Sequence, residues 1–300
     1  MLSKHSAAIL AASFVTFLWS TSFILIKYGL SQIPAISFAA YRYSIASAIL
    51  IAAASFSKKS SARISRRDFA LLLAMGLTGY SLAQGLQFVG LSLLSTDTTA
   101  FLQNTTPVFV LALSYSFSRE RPLTIQVIGL LVTLAGLTSF FWGSQLKFEA
   151  SGVMIVLIGS FAWAVYLILL RISRVHEKMG YLRFTAISMS LGSLLMLIPS
   201  LISEGITNLN SDAWLILIWL AVINTAFAFY LWNLSSKVLS AFELSVLQNT
   251  MLVQIALLSW LFLGEGLSLP MVVGMVLILV GSGLVQLPEA GIIRKRHSTK

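Results

Sequence analysis

Apolar residues gather along the chain in long, nearly uninterrupted runs that short polar connections separate. The runs are about 18 to 23 residues long, the length an α-helix needs to cross the hydrocarbon core of a bilayer. They lack the strict alternation typical of membrane β-strands. The pattern predicts an all-α membrane protein with ten transmembrane helices, at about 7–28, 36–55, 69–90, 96–117, 125–143, 151–171, 181–202, 213–234, 241–263 and 270–287.

The second half of the chain repeats the first at an offset of 145 residues. The string Leu-Gln-Asn-Thr at 102–105 recurs at 247–250. A chain that matches itself at half its length is a duplicated unit. Each unit holds five predicted helices, an odd number, so the second unit must be inverted in the membrane. We therefore expect two inverted five-helix repeats, residues 1–148 and 149–290, followed by a basic cytoplasmic tail, 291–300.

The positions of the basic residues predict the orientation. With the N-terminus in the cytoplasm, 17 of the 20 lysines and arginines fall on the cytoplasmic side, and Lys27 and Lys147 fall on the other. Such an excess is the positive-inside signal. The repeat agrees, because Arg119-Glu120-Arg121 on the cytoplasmic side becomes Gly264-Glu265-Gly266 on the opposite side. We expect a multi-pass protein of a prokaryotic plasma membrane, with both termini cytoplasmic.

Composition narrows the possible functions. The chain is 57% hydrophobic and 10% charged, with a net charge of +10 and a mean hydropathy of +0.89. Since the positive charge serves topology, we expect no nucleic-acid partner. The sequence has no cysteine, and its predicted helix centres carry no cluster of His, Asp or Glu for intramembrane catalysis. We therefore expect neither an enzyme nor a metal site nor a cofactor.

Polar and aromatic residues recur near the centres of several predicted helices, often three or four apart and so on one face. A tryptophan can also lie at the membrane interface, and an asparagine can bond a neighbouring helix. Lipid gives amides and hydroxyls no partner, so these faces should point into a wet central cavity. The residues predicted to bind substrate there are Trp19, Ser22, Tyr80, Gln84, Phe101, Asn104, Trp163, Tyr166, Asn249 and Thr250.

Four further residues are assigned gating or structural roles. Arg42 lies about six residues from the outer end of the second helix, where it either snorkels or pairs with backbone carbonyls, or anchors a substrate carboxylate. Pro107 should interrupt the fourth helix, whereas Leu252 at the matching place predicts no break in the ninth. Glu120 and Glu265, near helix ends, should act without touching substrate.

Glycines in the fifth and tenth helices lie two turns apart on one face: Gly129 with Gly136, and Gly274 with Gly281. Small residues at this spacing allow two helices to approach closely. We expect these glycines to serve packing.

Together these residues resemble the drug/metabolite transporter superfamily, and within it the ten-helix EamA-type branch. The resemblance spans about residues 8–287. It implies export or exchange of small metabolites such as amino acids, by alternating access through a central cavity. The residues that carry it are Trp19 with Ser20, Arg42, Pro107, Glu120 with Gly129, and Glu265 with Gly274.

The leading hypothesis is thus a secondary transporter of small, partly apolar solutes, with the lipid bilayer and a small-molecule substrate as its partners. Sugar-phosphate or nucleotide-sugar transport is the rival within the superfamily, but such substrates need fixed cations, and Arg42 alone lies within a helix core. A membrane-embedded protein without a transport role is the third alternative. A monomer and a homodimer both stay open, as do the direction and energy source of transport.

The orientation has a direct test. Reporter fusions placed after Lys147 and after Lys300 should report opposite sides of the membrane, because an odd number of helices separates them. If both fusions report one side, the count of ten helices is wrong.

Overall fold

The computed structural model describes residues 3–57, 64–117, 122–143, 149–263 and 266–287, and within these ranges the chain is helical. In the ten helices that correspond to the apolar runs, each end lies within three residues of the end of its run. Among the described residues, eight helices are long and apolar enough to cross a membrane, and Thr124–Phe140 is a shorter apolar helix. The helices are α1 (Lys4–Gly29), α2 (Ala35–Ser55), α3 (Arg66–Leu93), α4 (Thr96–Gln103 and Thr106–Phe117), α5 (Thr124–Phe140), α6 (Ala150–Ser173), α7 (Tyr181–Ser203), α8 (Ser211–Ser235), α9 (Ala241–Gln248 and Thr250–Leu263) and α10 (Leu269–Gln286).

Contacts between the helices follow a pseudo-two-fold axis. Helix α2 packs along α7, α4 meets α9, and α5 packs along α10, so these helices pair with their own counterparts. Helix α1 contacts α8 and α9, and its counterpart α6 contacts α3 and α4 in the same way. Because these contacts recur five helices later, the prediction of two inverted five-helix repeats is confirmed.

Helices α4 and α9 are both interrupted near their centres. The break in α4 falls at Asn104 and Thr105, just before Pro107, as the missing proline N–H predicts. The break in α9 falls at Asn249, so the expectation that Leu252 would leave this helix unbroken is wrong. There the Asn249 amide donates to the backbone carbonyl of Asn104 at 3.0 Å. A side chain from one break thus satisfies the backbone of the other.

Helices α3 and α8 each contain a wider π-helical turn at the same level, Gly76–Leu82 and Val222–Phe227. In α8 the Thr225 hydroxyl donates to the carbonyl of Leu220 at 2.8 Å, five residues earlier. Such turns re-aim the side chains that follow them and are frequent at functional sites. Their pairing across the pseudo-two-fold axis places two such turns beside the centre of the bundle.

The glycine faces of α5 and α10 are in direct contact. A Cβ atom on Gly129 would lie 2.7 Å from the carbonyl oxygen of Gly281, and one on Gly136 would lie 2.8 Å from that of Gly274. Only glycine allows the backbones to approach this closely. The packing role predicted for the four glycines is confirmed.

Carboxylates hold both ends of the bundle. Glu204, at the end of α7, accepts hydrogen bonds from the backbone N–H of Ile36 (3.2 Å) and Ser37 (2.6 Å), the first turn of α2. A negative charge there complements the positive end of the α2 dipole. At the other end, Lys178 of the short helix Val175–Met179 pairs with Asp68 of α3 at 2.7 Å. We call this second end the basic face.

Two glycines of α10 make a matched test of the α5–α10 contact. Gly281→Ala should destabilise the protein by about 1–3 kcal/mol, because the added Cβ would clash with the backbone of α5. Gly283→Ala, whose Cβ meets nothing within 4 Å, should leave stability unchanged or slightly improved. Thermal unfolding of the purified variants in detergent compares them. Equal melting temperatures would contradict the packing role.

Candidate functional site

A small cavity of about 40 Å³ lies at the centre of the bundle, where α1, α2, α3, α4, α6 and α9 meet. We call it the central chamber. Both halves of the chain contribute to its wall. Ligand cavities usually measure about 300–1,000 Å³, so side chains nearly fill the chamber in this conformation. Its polar and indole-bearing lining residues are Trp19, Ser22, Arg42, Tyr43, Gln84, Gln87, Gln103, Trp163 and Gln248.

Five aromatic side chains pack beside the chamber, and we call them the aromatic cluster: Trp19, Trp163, Tyr166, Phe229 and Trp232. The rings of Trp163 and Tyr166 stack at 4.9 Å, and Trp19 lies 4.9 Å from Trp232 and 5.2 Å from Phe229, centroid to centroid. All five are buried. Aromatic pairs at these distances add about 0.5–1.5 kcal/mol each beyond burial, so the cluster is cohesive.

A buried hydrogen-bond network adjoins the cluster and joins four helices. The Tyr166 hydroxyl donates to Asn233 Oδ1 at 2.7 Å, and Asn233 Nδ2 donates to Thr185 Oγ1 at 2.9 Å and to the Tyr80 hydroxyl at 3.2 Å. The two tyrosine hydroxyls lie 3.1 Å apart. We call these four residues the tyrosine–asparagine network. Since its members are buried and bonded to one another, it ties α3, α6, α7 and α8 together.

The indole nitrogens of the two chamber tryptophans cross between helices. Trp163 Nε1 donates to Gln248 Oε1 at 2.7 Å, which joins α6 to α9. Trp19 Nε1 donates to the backbone carbonyl of Asn224 at 3.1 Å, within the π-helical turn of α8. The Asn224 amide in turn donates to the carbonyl of Leu18. The tryptophan side chains are thereby fixed in orientation at the chamber wall.

Arg42 turns into the protein rather than toward the membrane surface. Its side chain is 3% exposed. Nε donates to Thr225 Oγ1 at 2.6 Å, and one Nη donates to the Asn224 carbonyl at 3.3 Å. The snorkelling interpretation is therefore wrong, whereas pairing with a backbone carbonyl is confirmed.

Several residues predicted to bind substrate meet at the chamber. Trp19, Ser22, Gln84 and Trp163 line it. Tyr80 and Tyr166 belong to the adjoining tyrosine–asparagine network.

Four other predicted residues lie away from the chamber lining. Phe101 packs against Phe141 at 5.3 Å. Asn104 and Asn249 meet at the helix breaks, and Thr250 donates to the carbonyl of Leu247 within its own helix. None of the four is a lining residue of the chamber, and Asn104 and Asn249 form the joint between α4 and α9.

The sequence reasoning passed over Gln103 and Gln248, which do line the chamber. Both stand in the repeated Leu-Gln-Asn-Thr string, immediately before the asparagines. The repeat therefore signalled the right place, but one residue turns a helix by about 100°, and the two amides of the string face in different directions. Gln87, one turn beyond Gln84 on α3, is a further lining residue.

Of the residues assigned gating or structural roles, Glu120 and Glu265 lie outside the described residues. Pro107 is buried in the first turn of the second part of α4, where the absence of its N–H removes no helical hydrogen bond.

A second, much larger cavity of about 1,180 Å³ opens at the basic face. Five cationic side chains line it: Arg171, Arg174, Lys178, Arg183 and Lys237. His176 also lines it, and burial lowers the pKa of this imidazole, so it adds no charge near neutral pH. We call this cavity the basic opening.

The aromatic cluster and the tyrosine–asparagine network lie between the chamber and the basic opening. Along α6, Trp163 lines the chamber, Tyr166 belongs to the network, and Arg171 lines the opening. At 1.5 Å per residue, about 12 Å of helix separates the two cavities. Helices α7 and α8 contribute both to the network, through Thr185 and Asn233, and to the lining of the opening. The two cavities are thus aligned, with a barrier between them.

Comparison with known proteins gives the same division of the chain into two repeats. The model of the EamA-like transporter family matches residues 6–142 and again residues 150–287, which confirms the resemblance expected from the sequence. An uncharacterized transporter of Archaeoglobus fulgidus is 28% identical over 290 residues, covering 96% of this chain and 99% of the relative. The uncharacterized transporter YdfC of Bacillus subtilis is 22% identical, covering 88% of this chain and 86% of its own.

A solved crystal structure has the same fold. It superposes with a TM-score of 0.74 over 93% of this chain and 96% of its own, at 21% sequence identity. At this identity the likeness concerns the fold alone. With the family match and the apolar helices, it describes a multi-pass membrane protein of a transporter family.

Proposed function

We propose that this chain, which belongs to the EamA-like transporter family, is a secondary transporter that exports or exchanges small metabolites by alternating access. Amino acids or similar partly apolar solutes are the proposed substrates. The observation that carries the proposal is the alignment of a small central chamber, a barrier of side chains and a large opening at one face. A transporter that exposes its site to one side at a time needs these three parts.

The barrier toward the basic face consists of contacts that a movement of helices can separate. It consists of aromatic contacts and four hydrogen-bonding side chains from α3, α6, α7 and α8. Movement of α7 and α8 against α3 and α6 would separate these bonds and join the chamber to the basic opening. Since the chamber of about 40 Å³ is too small for a metabolite, such widening is required for loading.

The opposite end of the chamber is closed by apolar side chains. Phe38 of α2 packs against Phe88 of α3, with ring centroids 5.2 Å apart. The Phe38 ring also lies where a side chain on Gly29 would stand. An exchange of conformations between two inverted halves closes one end while the other opens, so this contact serves as the second gate in the proposal.

The chamber wall supports a partly apolar solute. Indole and phenyl rings supply contact area, and glutamine side chains supply a few oriented hydrogen bonds. A sugar phosphate or nucleotide sugar would need several fixed cations, whereas Arg42 is the one charged side chain among the described lining residues. This charge count favours small metabolites over the phosphorylated alternative.

The basic opening faces the cytoplasm in this proposal, with both termini on that side of a prokaryotic plasma membrane. The excess of lysine and arginine at that face supports the assignment. The transporting unit in this proposal is a monomer, because both halves of one chain contribute to the chamber wall.

Counterflow in proteoliposomes tests the function. Purified protein in vesicles loaded with an unlabelled amino acid should accumulate the same compound in labelled form. Across a panel of amino acids and related apolar metabolites, the exchange rates should differ clearly from one compound to the next. Trp19→Ala should change the ratio of rates between a large and a small solute by about tenfold or more, because part of the chamber wall is lost.

Trp219→Ala is the matched control, since this tryptophan is 55% exposed on the outer surface of α8. Its selectivity should equal that of the unmodified protein. An unchanged ranking in Trp19→Ala, with the protein still folded and active, would place the substrate elsewhere. Absence of exchange for every compound would contradict secondary transport.

A further inference from the structure

We propose that Arg42 is a carboxylate-binding subsite of the central chamber, and that the transported solute is a small monocarboxylate, amino acids included. The inference rests on the proposed transport function and specifies its substrate class. It starts from the buried cation of Arg42, for which the described residues supply no neutralising carboxylate.

The guanidinium of Arg42 is only partly used. It has five N–H groups, and two of its nitrogens donate to protein, Nε to Thr225 Oγ1 and one Nη to the Asn224 carbonyl. The side chain nevertheless lines the chamber. Donors therefore remain available for a group inside the chamber.

The charge of Arg42 has weak compensation. Buried arginines are normally paired with an anion, because removing a charge from water is costly. Within the described ranges no carboxylate lies within 4 Å of this guanidinium; the rings of Tyr43 and Phe88 stand 5.7 and 5.9 Å from its central carbon. Cation–π contacts and one carbonyl leave a net positive charge. A carboxylate bound in the chamber would neutralise it.

Amides around the chamber are placed to complete such a site. Gln84 and Gln87 lie one turn apart on α3, and Gln103 joins them from α4. Gln248 accepts the Trp163 indole N–H through Oε1, so its NH₂ group is the end that can donate to a ligand. A planar carboxylate accepts from a guanidinium and from amide N–H groups at the same time.

The number of charges selects one carboxylate over a phosphate. Arg42 is the one charged residue among the described lining, so a monoanion is balanced and a phosphate dianion is not. The remainder of the wall, including Trp19, Phe23 and Ile26, is aromatic or aliphatic. The rest of the solute should accordingly be partly apolar and carry no second anionic group.

Pairs of an acid and its primary amide test the subsite directly, because the two members share one shape and differ in the anionic group. Phenylacetate with phenylacetamide, and L-phenylalanine with L-phenylalaninamide, are the probes, measured by equilibrium binding to purified protein and by counterflow. The unmodified protein should bind each acid at least about tenfold more tightly than its amide, since charge-assisted hydrogen bonds are the stronger ones.

Arg42→Gln should lose the preference for the acid while it still binds the amide. Arg42→Lys, which keeps the charge but not the forked geometry, should retain part of the preference. Arg67→Gln is the matched control, because Arg67 is exposed at the start of α3, and its preference should be unchanged. If Arg42→Gln fails to fold, Gln87→Leu should still weaken acid binding more than amide binding.

Equal binding of acid and amide by the unmodified protein would overturn the subsite, and so would a preserved acid preference in Arg42→Gln. Exchange of uncharged solutes alone would also overturn it, yet would leave the proposed transport function standing. If neither these probes nor the wider solute panel is exchanged, the transport function itself fails, and the subsite with it.

Discussion

Hydrocarbon offers no hydrogen-bond partner, so each polar group inside this bundle has to be met by another part of the chain. The chain meets much of this requirement across its two halves. Trp19 of the first half bonds the backbone of α8, Asn249 of the second bonds the backbone of α4, and Arg42 bonds Thr225. The bonds that satisfy buried groups are the same ones that hold the repeats together. A rearrangement between the halves must therefore exchange these partners, which makes their interface the place for a substrate.

The interface between the two halves has a closely packed part and a polar part, and the two parts have different roles. The glycine faces of α5 and α10 bring backbones together without side chains between them, and such a joint has little freedom to change. The tyrosine–asparagine network is made of side chains from four helices, and a small rotation would separate them. The first joint keeps the halves in register, and the second can open. This difference in contact type accounts for a fixed part and a moving part in one bundle.

The fold could be predicted from the sequence because the bilayer fixes helix length and the repeat fixes the count. Helix ends agree with the apolar runs to within three residues, and the glycine spacing identified a real contact. The break in α9 escaped prediction because no proline marks it. It depends on Asn249, whose amide reaches the backbone of the other half. Tertiary contacts of this kind leave no local signal.

The candidate site was predictable in position and only partly in its members. Mid-helix polar residues pointed to the right level, and Trp19, Gln84 and Trp163 do line the chamber. The side of each helix that faces the chamber was harder to predict, because helices that are apolar nearly all round give no strong amphipathic signal. Gln248 therefore faces the chamber while its neighbour Asn249 does not. The inward turn of Arg42 likewise depends on α8, which lies 183 residues away in the sequence.

The central claim is that the chamber opens to each side of the membrane in turn, and one engineered thiol measures this. The chain has no cysteine, so Ser22→Cys would be a unique reactive site on the chamber wall, at a position now buried. A membrane-impermeant thiol reagent should label it both in right-side-out and in inside-out vesicles, and a saturating transported solute should slow labelling from each side. Labelling from one side only, under every solute condition and with transport intact, would contradict alternating access through this chamber.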